Sequence, residues 1–337
     1  MLTNNVANIT EKLMRSRASK LENYVKRTPT VKLSSEKLKK YLSGSEIHMK
    51  LECMQHTGTF KARGAISVAL EIPIKEINYG VTAASAGNHA IAASWAAQQI
   101  GTSAKVVMAS TANPYRIELA KLYGGEIILK EPGKALFSEA ERLVRDEQRT
   151  FIHPFEGIYT TLGASGVGLE LMDDVKDLEA VVVSVGGGGL MSGISAAVKA
   201  INPSCKVYGI EPTGADSMSR SIKLGKPATL DITNTIADSL SPPMALPFGF
   251  AVCQKNVDDI ILVTDDQICA GMTILMEEGK LAVEPAAGAA MAGILFGLKN
   301  QLSSKKIGLI VCGSNIDSRT YNKFNDRGAE HLSKVNF

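Results

Sequence analysis

The feature that most restricts how this chain can fold is an alternation of short β-branched runs with longer helical patterns. "VTAAS" (81–85) precedes the alanine-rich "HAIAASWAAQQIG", whose helix is expected to stop at Gly101. "AKVVMA" (104–109) leads into "NPYRIELAKLYG" and then into "EIILK" (126–130). "AVVVSV" (180–185) precedes "LMSGISAAVKAI" and then "KVYGIE" (206–211), and "KIGLIVC" (306–312) is another buried-strand candidate. Helices of this length between strands imply βαβ units, so the chain reads as an α/β protein with mostly parallel sheets covered on both faces. Separate strand–helix series lie on either side of "FIHPFEG" (151–157), so two sheets are expected rather than one.

The totals exclude several partners. Lys plus Arg exceed Asp plus Glu by 37 to 34, and no basic run with interleaved aromatics occurs, so no nucleic-acid partner is expected. The longest apolar stretch (285–298) is shorter than the ~20 residues a membrane span needs and reads as a buried helix. The first 20 residues lack the apolar run of a signal peptide. Five cysteines without a CxxC spacing argue against a disulfide framework or zinc site and for a reducing, cytoplasmic setting.

Four segments place Gly, Ser, Thr or Asn after a strand or at a helix start: "TGTFK" (57–61), "SAGNH" (85–89), "GGGG" (186–189) and "CGSN" (312–315). Ligands of open α/β sheets bind beyond the carboxyl ends of the strands, where at least three of these would lie. Gly186, Gly187, Gly188 and Gly189 would let the backbone approach an anion, with free N–H groups and the helix dipole directed at it. No G-x-G-x-x-G can be written here, because the sixth position is Met191 counted from Gly186 and Ser192 counted from Gly187. A Walker loop is excluded because no Lys-Ser or Lys-Thr follows. A cradle for a phosphate monoester fits better.

Lys61 is the second anchor. An amine that reacts with a carbonyl must shed its charge against a free pKa of about 10.4, so it belongs in a partly desolvated pocket. Phe60 can supply an apolar wall, and the Thr-Gly-Thr before it can cap the helix. A phosphate loop with a reactive lysine points to pyridoxal 5′-phosphate held as a Schiff base.

"LECMQHTGTFKARGA", "TAASAGNHA", "VGGGGLMSG" and "VCGSNID", in this order and spacing, resemble the threonine/serine dehydratase and serine racemase group of the fold-type II pyridoxal-phosphate enzymes. The resemblance runs from residue 27 to about residue 320. It implies a two-domain fold, with a large cofactor-binding domain (1–78 and 157–337) and a small inserted domain (79–156). It implies that Lys61 anchors the cofactor and moves the α-proton, that Phe60 packs on the ring, and that Asn88 meets its 3′ oxygen. Gly186 to Gly189 would hold the phosphate, while Ser85, Ala86, Gly87, Asn88 and His89 would form the loop for the substrate carboxylate. Cys312, with Ser314 as the second choice, would stand by the pyridine nitrogen, and Glu284 near the cofactor. A neutral thiol there makes the cofactor a weaker electron sink, which suits β-elimination.

The implied activity is that of an ammonia-lyase converting an L-β-hydroxy amino acid of the threonine or serine type to a 2-oxo acid and ammonia. A serine or amino-acid racemase and a threo-3-hydroxyaspartate ammonia-lyase are the alternatives. Racemases of the group carry a serine where Ala86 stands, and alanine transfers no proton. "GASG" (163–166), "IADS" (236–239) and Phe137 depart from the group's usual pattern at positions expected to line or neighbour the pocket. The loop "IEPTGADS" resembles one that binds Mg²⁺ or Ca²⁺ in some relatives, which would use Glu211, the Ala215 carbonyl and Ser217. A homodimer is implied by the resemblance alone.

Overall fold

The computed structural model of the protein describes residues 5–85 and 87–335. Helix α1 (Glu11–Leu21) leads to strand β1 (Thr30–Leu33), α2 (Glu36–Tyr41), β2 (Glu46–Lys50) and α3 (Lys61–Ala69). Next come β3 (Val81–Ala84), α4 (Asn88–Gln99), β4 (Ala104–Ala109), α5 (Pro114–Leu122), β5 (Gly125–Lys130), α6 (Lys134–Glu147) and β6 (Thr150–Phe151). Helix α7 (Ile158–Asp174) carries the chain to β7 (Ala180–Ser184), α8 (Gly189–Ile201), β8 (Lys206–Pro212) and α9 (Ser217–Leu224). The remainder is α10 (Pro247–Asn256), β9 (Asp259–Val263), α11 (Asp265–Glu277), α12 (Pro285–Ala292), β10 (Lys306–Ile310) and α13 (Ser318–Lys334).

Two sheets form, as the segregated strand–helix series predict. One has the order β1-β2-β10-β7-β8-β9 and the other β5-β4-β3-β6. Every neighbouring pair is parallel except β1 with β2, which sits at the edge. Strand β7 is wholly buried, as a central parallel strand covered on both faces must be.

The strands that sequence reading missed are β1, β2, β6 and β9. In β2, Lys50 is fully buried because its Nζ pairs with Glu170 at 2.7 Å and donates to the Thr28 carbonyl at 2.6 Å. A charged residue satisfied in this way hides the strand from any apolar pattern. The stretch 285–298 is buried as expected, and it is α12 followed by a π-helical turn at Gly293–Gly297.

Helix α3 belongs to both halves of the molecule. Its Ala62, Ala65, Ile66 and Ala69 join the apolar cluster of α4, β3 and β4. Its N-terminal end is pinned instead to the loop after β10. Thr59 bridges Gly313, and the Phe60 N–H donates to the Cys312 carbonyl at 3.1 Å. Lys61, the first residue of α3, therefore stands at the junction of the two sheets. No helix among the described residues is long and apolar enough to cross a membrane.

Candidate active site

The loops after β3, β7 and β10 meet at the N-terminus of α3. They line a cleft with an empty volume of about 490 Å³, walled by Phe60, Lys61, Asn88, Gly186 to Gly189, Glu284 and Cys312, with Phe155, Leu240 and Pro242 on its apolar side. Of the sequence-predicted residues, Ser85, His89 and Ser314 stand just outside this wall. Ala86 lies outside the described residues.

The glycine run is a backbone surface from which side chains are excluded. A Cβ on Gly187 would lie 2.3 Å from the Phe155 ring, and one on Gly189 would lie 2.7 Å from Phe155 Cα. Gly188 has φ +90°, and a Cβ there would come within 2.6 Å of Met218 Cε. Helix α8 begins at once, and its first internal bond runs from the Ser192 N–H to the Gly188 carbonyl. The N–H groups ahead of Ser192 thus precede the helical ladder, at the positive end of the dipole. A bare, positively polarised backbone at the end of a cleft fits a phosphate group, and Lys61 in the same wall fits its aldehyde.

Lys61 Nζ is 2.5 Å from the Pro154 carbonyl and 5.1 Å from the centre of the Phe60 ring. Thr59 Oγ1 accepts the Lys61 N–H at 3.3 Å, the capping role expected of the preceding turn. Burial pulls the amine down to about 8, against the opposing influence of Cys312 and Glu284. A substantial neutral fraction at physiological pH follows.

On its far side, Lys61 borders a second, smaller space with His89, His153, Thr160 and Ala164. Burial, with the charge of Lys61, pushes His89 down to about 3 and His153 down to about 4. Both rings are therefore neutral. His89 Nε2 lies 2.7 Å from the Ile152 carbonyl, so in the neutral ring it carries the proton and Nδ1 offers a lone pair. His153 Nδ1 accepts from the N–H groups of Phe155 (3.2 Å) and Glu156 (2.9 Å).

Asn88 is the centre of a buried polar net. Its Nδ2 donates to both Glu284 oxygens, at 2.8 and 2.9 Å, and to Ser239 Oγ at 3.2 Å. Its Oδ1 accepts from Asn315 Nδ2 at 2.9 Å. Glu284 occupies the N-cap position of α12 without capping it, and its carboxylate turns toward Asn88 and Arg116 instead. Burial raises the Glu284 carboxyl, and Arg116 and Asn88 oppose that rise. Cys312 lines the cleft, whereas the Ser314 hydroxyl is directed to the Cys53 carbonyl at 3.4 Å. Burial and the charge of Glu284 push the Cys312 thiol well above its ordinary value, so it keeps its proton. Ser85 Oγ accepts the Gly87 N–H at 3.1 Å and shapes the loop from within.

Two expectations need correction. Phe137 is 43% exposed on α6 and lines neither space around Lys61, because the amphipathic face of α6 turns it to solvent. In "GASG", Gly163 and Gly166 pack against Arg63 rather than the cleft, and Ala164 alone reaches the space behind Lys61.

In the Glu211 loop, the carboxylate accepts the N–H groups of Met218 (2.9 Å) and Ser219 (2.8 Å) and so anchors the start of α9. Burial nevertheless pushes it up to about 8. Ala215 and Ser217 are buried beside it, and no trio of acidic, histidine or cysteine side chains that could hold a metal occurs among the described residues.

Sequence reading missed Pro154, His153, Phe155 and Arg116, and it gave Asn315 no role within "CGSN"; Ser239, the last residue of "IADS", lines the cleft as expected. "FIHPFEG" was legible only as a divider between sheets, and nothing local marks Arg116.

The family model described as "Pyridoxal-phosphate dependent enzyme" matches residues 21–313. Phenylserine dehydratase of Ralstonia pickettii is 44% identical over 278 residues, which cover 82% of this chain and 85% of that one. L-threonine ammonia-lyase of Thermotoga maritima is 34% identical over 91% of this chain and 76% of its own. The structure of maize serine racemase superposes with a TM-score of 0.87 at 35% identity, covering 93% of this chain and 96% of that one.

Proposed function

This chain belongs to the pyridoxal-phosphate dependent enzymes, and from that premise we propose that it is an ammonia-lyase that eliminates water from L-β-hydroxy amino acids, those with an aromatic β-substituent included. The observation that carries the reading is Lys61, an amine held near neutrality in a cleft that ends in a bare glycine cradle.

Gly186 to Gly189 would hold the phosphate of the cofactor with their N–H groups, and Phe60 would pack on the ring. Bound pyridoxal phosphate supplies the electron sink for the α-carbanion. Lys61, as a neutral amine, would accept the α-proton. The SAGNH loop at the head of α4 receives the substrate carboxylate, with the positive end of the helix behind it. Cys312 would present a neutral thiol to the bound ring, which would limit that sink and favour loss of the β-hydroxyl. Loss of water from the substrate, followed by hydrolysis, releases a 2-oxo acid and ammonia.

Aromatic substrates are supported by the Ralstonia relative. The racemase alternative is disfavoured by Ala86, whose side chain has no proton to give. The resemblance also supports a homodimer, whose mass light scattering reads, and the free cysteines support a cytoplasmic setting.

The test is 2-oxo acid release from L-threo-phenylserine, L-threonine, L-serine, threo-3-hydroxyaspartate and D-serine. Release from the first three supports the reading. D-serine formed from L-serine without oxo acid would reverse it in favour of a racemase.

A further inference from the structure

Arg116 takes no part in the chemistry above, yet it is the most heavily engaged cation at the site. It projects from α5, beside the four-stranded sheet, and is 4% exposed. Among the described residues, its hydrogen-bond and ion-pair partners come from loops around the six-stranded sheet. Nε donates to the Asn315 carbonyl at 2.9 Å, Nη1 to Asp238 at 2.5 Å, and Nη2 stands 3.5 Å from Glu284 Oε2. Its stem backs the loop that starts α4, since a Cβ on Gly87 would lie 2.6 Å from Arg116 Cδ.

Glu284 is 2% exposed, and a carboxylate that deep stays ionised only when a cation and hydrogen-bond donors face it. The groups around it are Arg116 from α5, Asp238 from the turn at Asp238–Leu240, Lys61 from the start of α3, Cys53 and Cys312. Arg116 is its ion-pair partner, and Asp238 opposes the charge. An ionised Glu284 only accepts hydrogen bonds, and so it dictates which end of the Asn88 amide faces it. Nδ2 turns to the carboxylate, and its second hydrogen is the one that Ser239, or a ligand in the cleft, can take. A neutral Glu284 could donate as well as accept, and the amide would then be oriented by Asn315 alone.

We propose that Arg116 is a positioning residue: by holding Glu284 as a carboxylate it fixes the orientation of the Asn88 amide toward the 3′ oxygen of the cofactor. This rests on the reading of the cleft as a pyridoxal-phosphate site.

The experiment uses holoenzymes of the wild type, R116K, R116M, E284Q and R116M/E284Q. Each is followed by the visible absorption of bound cofactor against pH and by the cofactor dissociation constant. In R116M the band should acquire a titration in the neutral range that the wild type lacks, with cofactor binding weakened by about tenfold, the loss of one charged hydrogen bond. R116K should restore both in large part. The double variant buries no unpaired carboxylate, so it reports even if R116M alone does not fold. Adding R116M to E284Q should leave affinity and band unchanged. A further loss in the double variant, or an R116M that differs from wild type only in melting temperature, would overturn the proposal. A wild-type protein with no visible band would overturn the cofactor reading instead.

Discussion

Two helix N-termini face each other across the cleft, and they are built in opposite ways. That of α8 presents backbone alone, with Phe155 and Met218 so close to Gly187, Gly188 and Gly189 that no Cβ fits. That of α4 presents the Asn88 side chain, locked in a net with Glu284 and Asn315, while the neighbouring His89 turns away to the Ile152 carbonyl. Both use the positive end of a helix, but the first can only bind an anion, whereas the second can also orient a ligand by hydrogen bonds. The difference separates anchoring from steering. Lys61, on a helix pinned to both halves, works between them.

Removing the centre should have the largest effect. Lys61→Ala keeps both N-termini and should lower turnover about 10⁴-fold, the upper range for a positioned proton transfer. Cofactor should still bind, without covalent attachment, as equilibrium dialysis and absorption would show. Gly187→Ala attacks the anchor alone. Its Cβ would meet the Phe155 ring, an overpacking that costs about 1–3 kcal/mol. Cofactor affinity measured by dialysis should fall ~10- to ~100-fold, while kcat at saturating cofactor changes less.

Asn88→Ala attacks the steering side and should give the reverse split. It leaves Glu284 short of two hydrogen bonds at about 1–3 kcal/mol, with kcat reduced more than cofactor affinity. Equal losses in both quantities would erase the distinction between anchor and steering. The pH dependence of covalent cofactor capture by apoprotein is a subtler probe. With the amine drawn down to about 8, Lys61 is cationic and unreactive below that pH and neutral above it. Stopped-flow capture rates should therefore rise with pH to a plateau above about 8, rather than keep rising toward 10.5. Ser85→Ala should be the mildest change. It removes one acceptor of the Gly87 N–H, about 0.5–1.5 kcal/mol. Steady-state kinetics should show a raised KM for the amino acid and little change in kcat.

The same contrast explains what could be read from the sequence. The α8 end was legible because its glycines are contiguous and a strand and a helix flank them, so the whole device is local. The α4 end was only half legible. Its loop residues are adjacent in sequence, but Glu284, Arg116 and Asn315 reach it from far along the chain, with no periodicity to announce them. Strands β3, β4, β7, β8 and β10 showed as buried apolar runs. The edge strand β1 and the charge-bearing β2 did not, because water on one side and a buried ion pair on the other remove the pattern that reading depends on.

The most direct measurement of the central claim is borohydride reduction of the holoenzyme followed by peptide mass mapping. The account predicts one stoichiometric cofactor adduct, on Lys61, which disappears when substrate is present during reduction. An adduct on another lysine, or no adduct on a protein that still turns over L-threo-phenylserine, would contradict it.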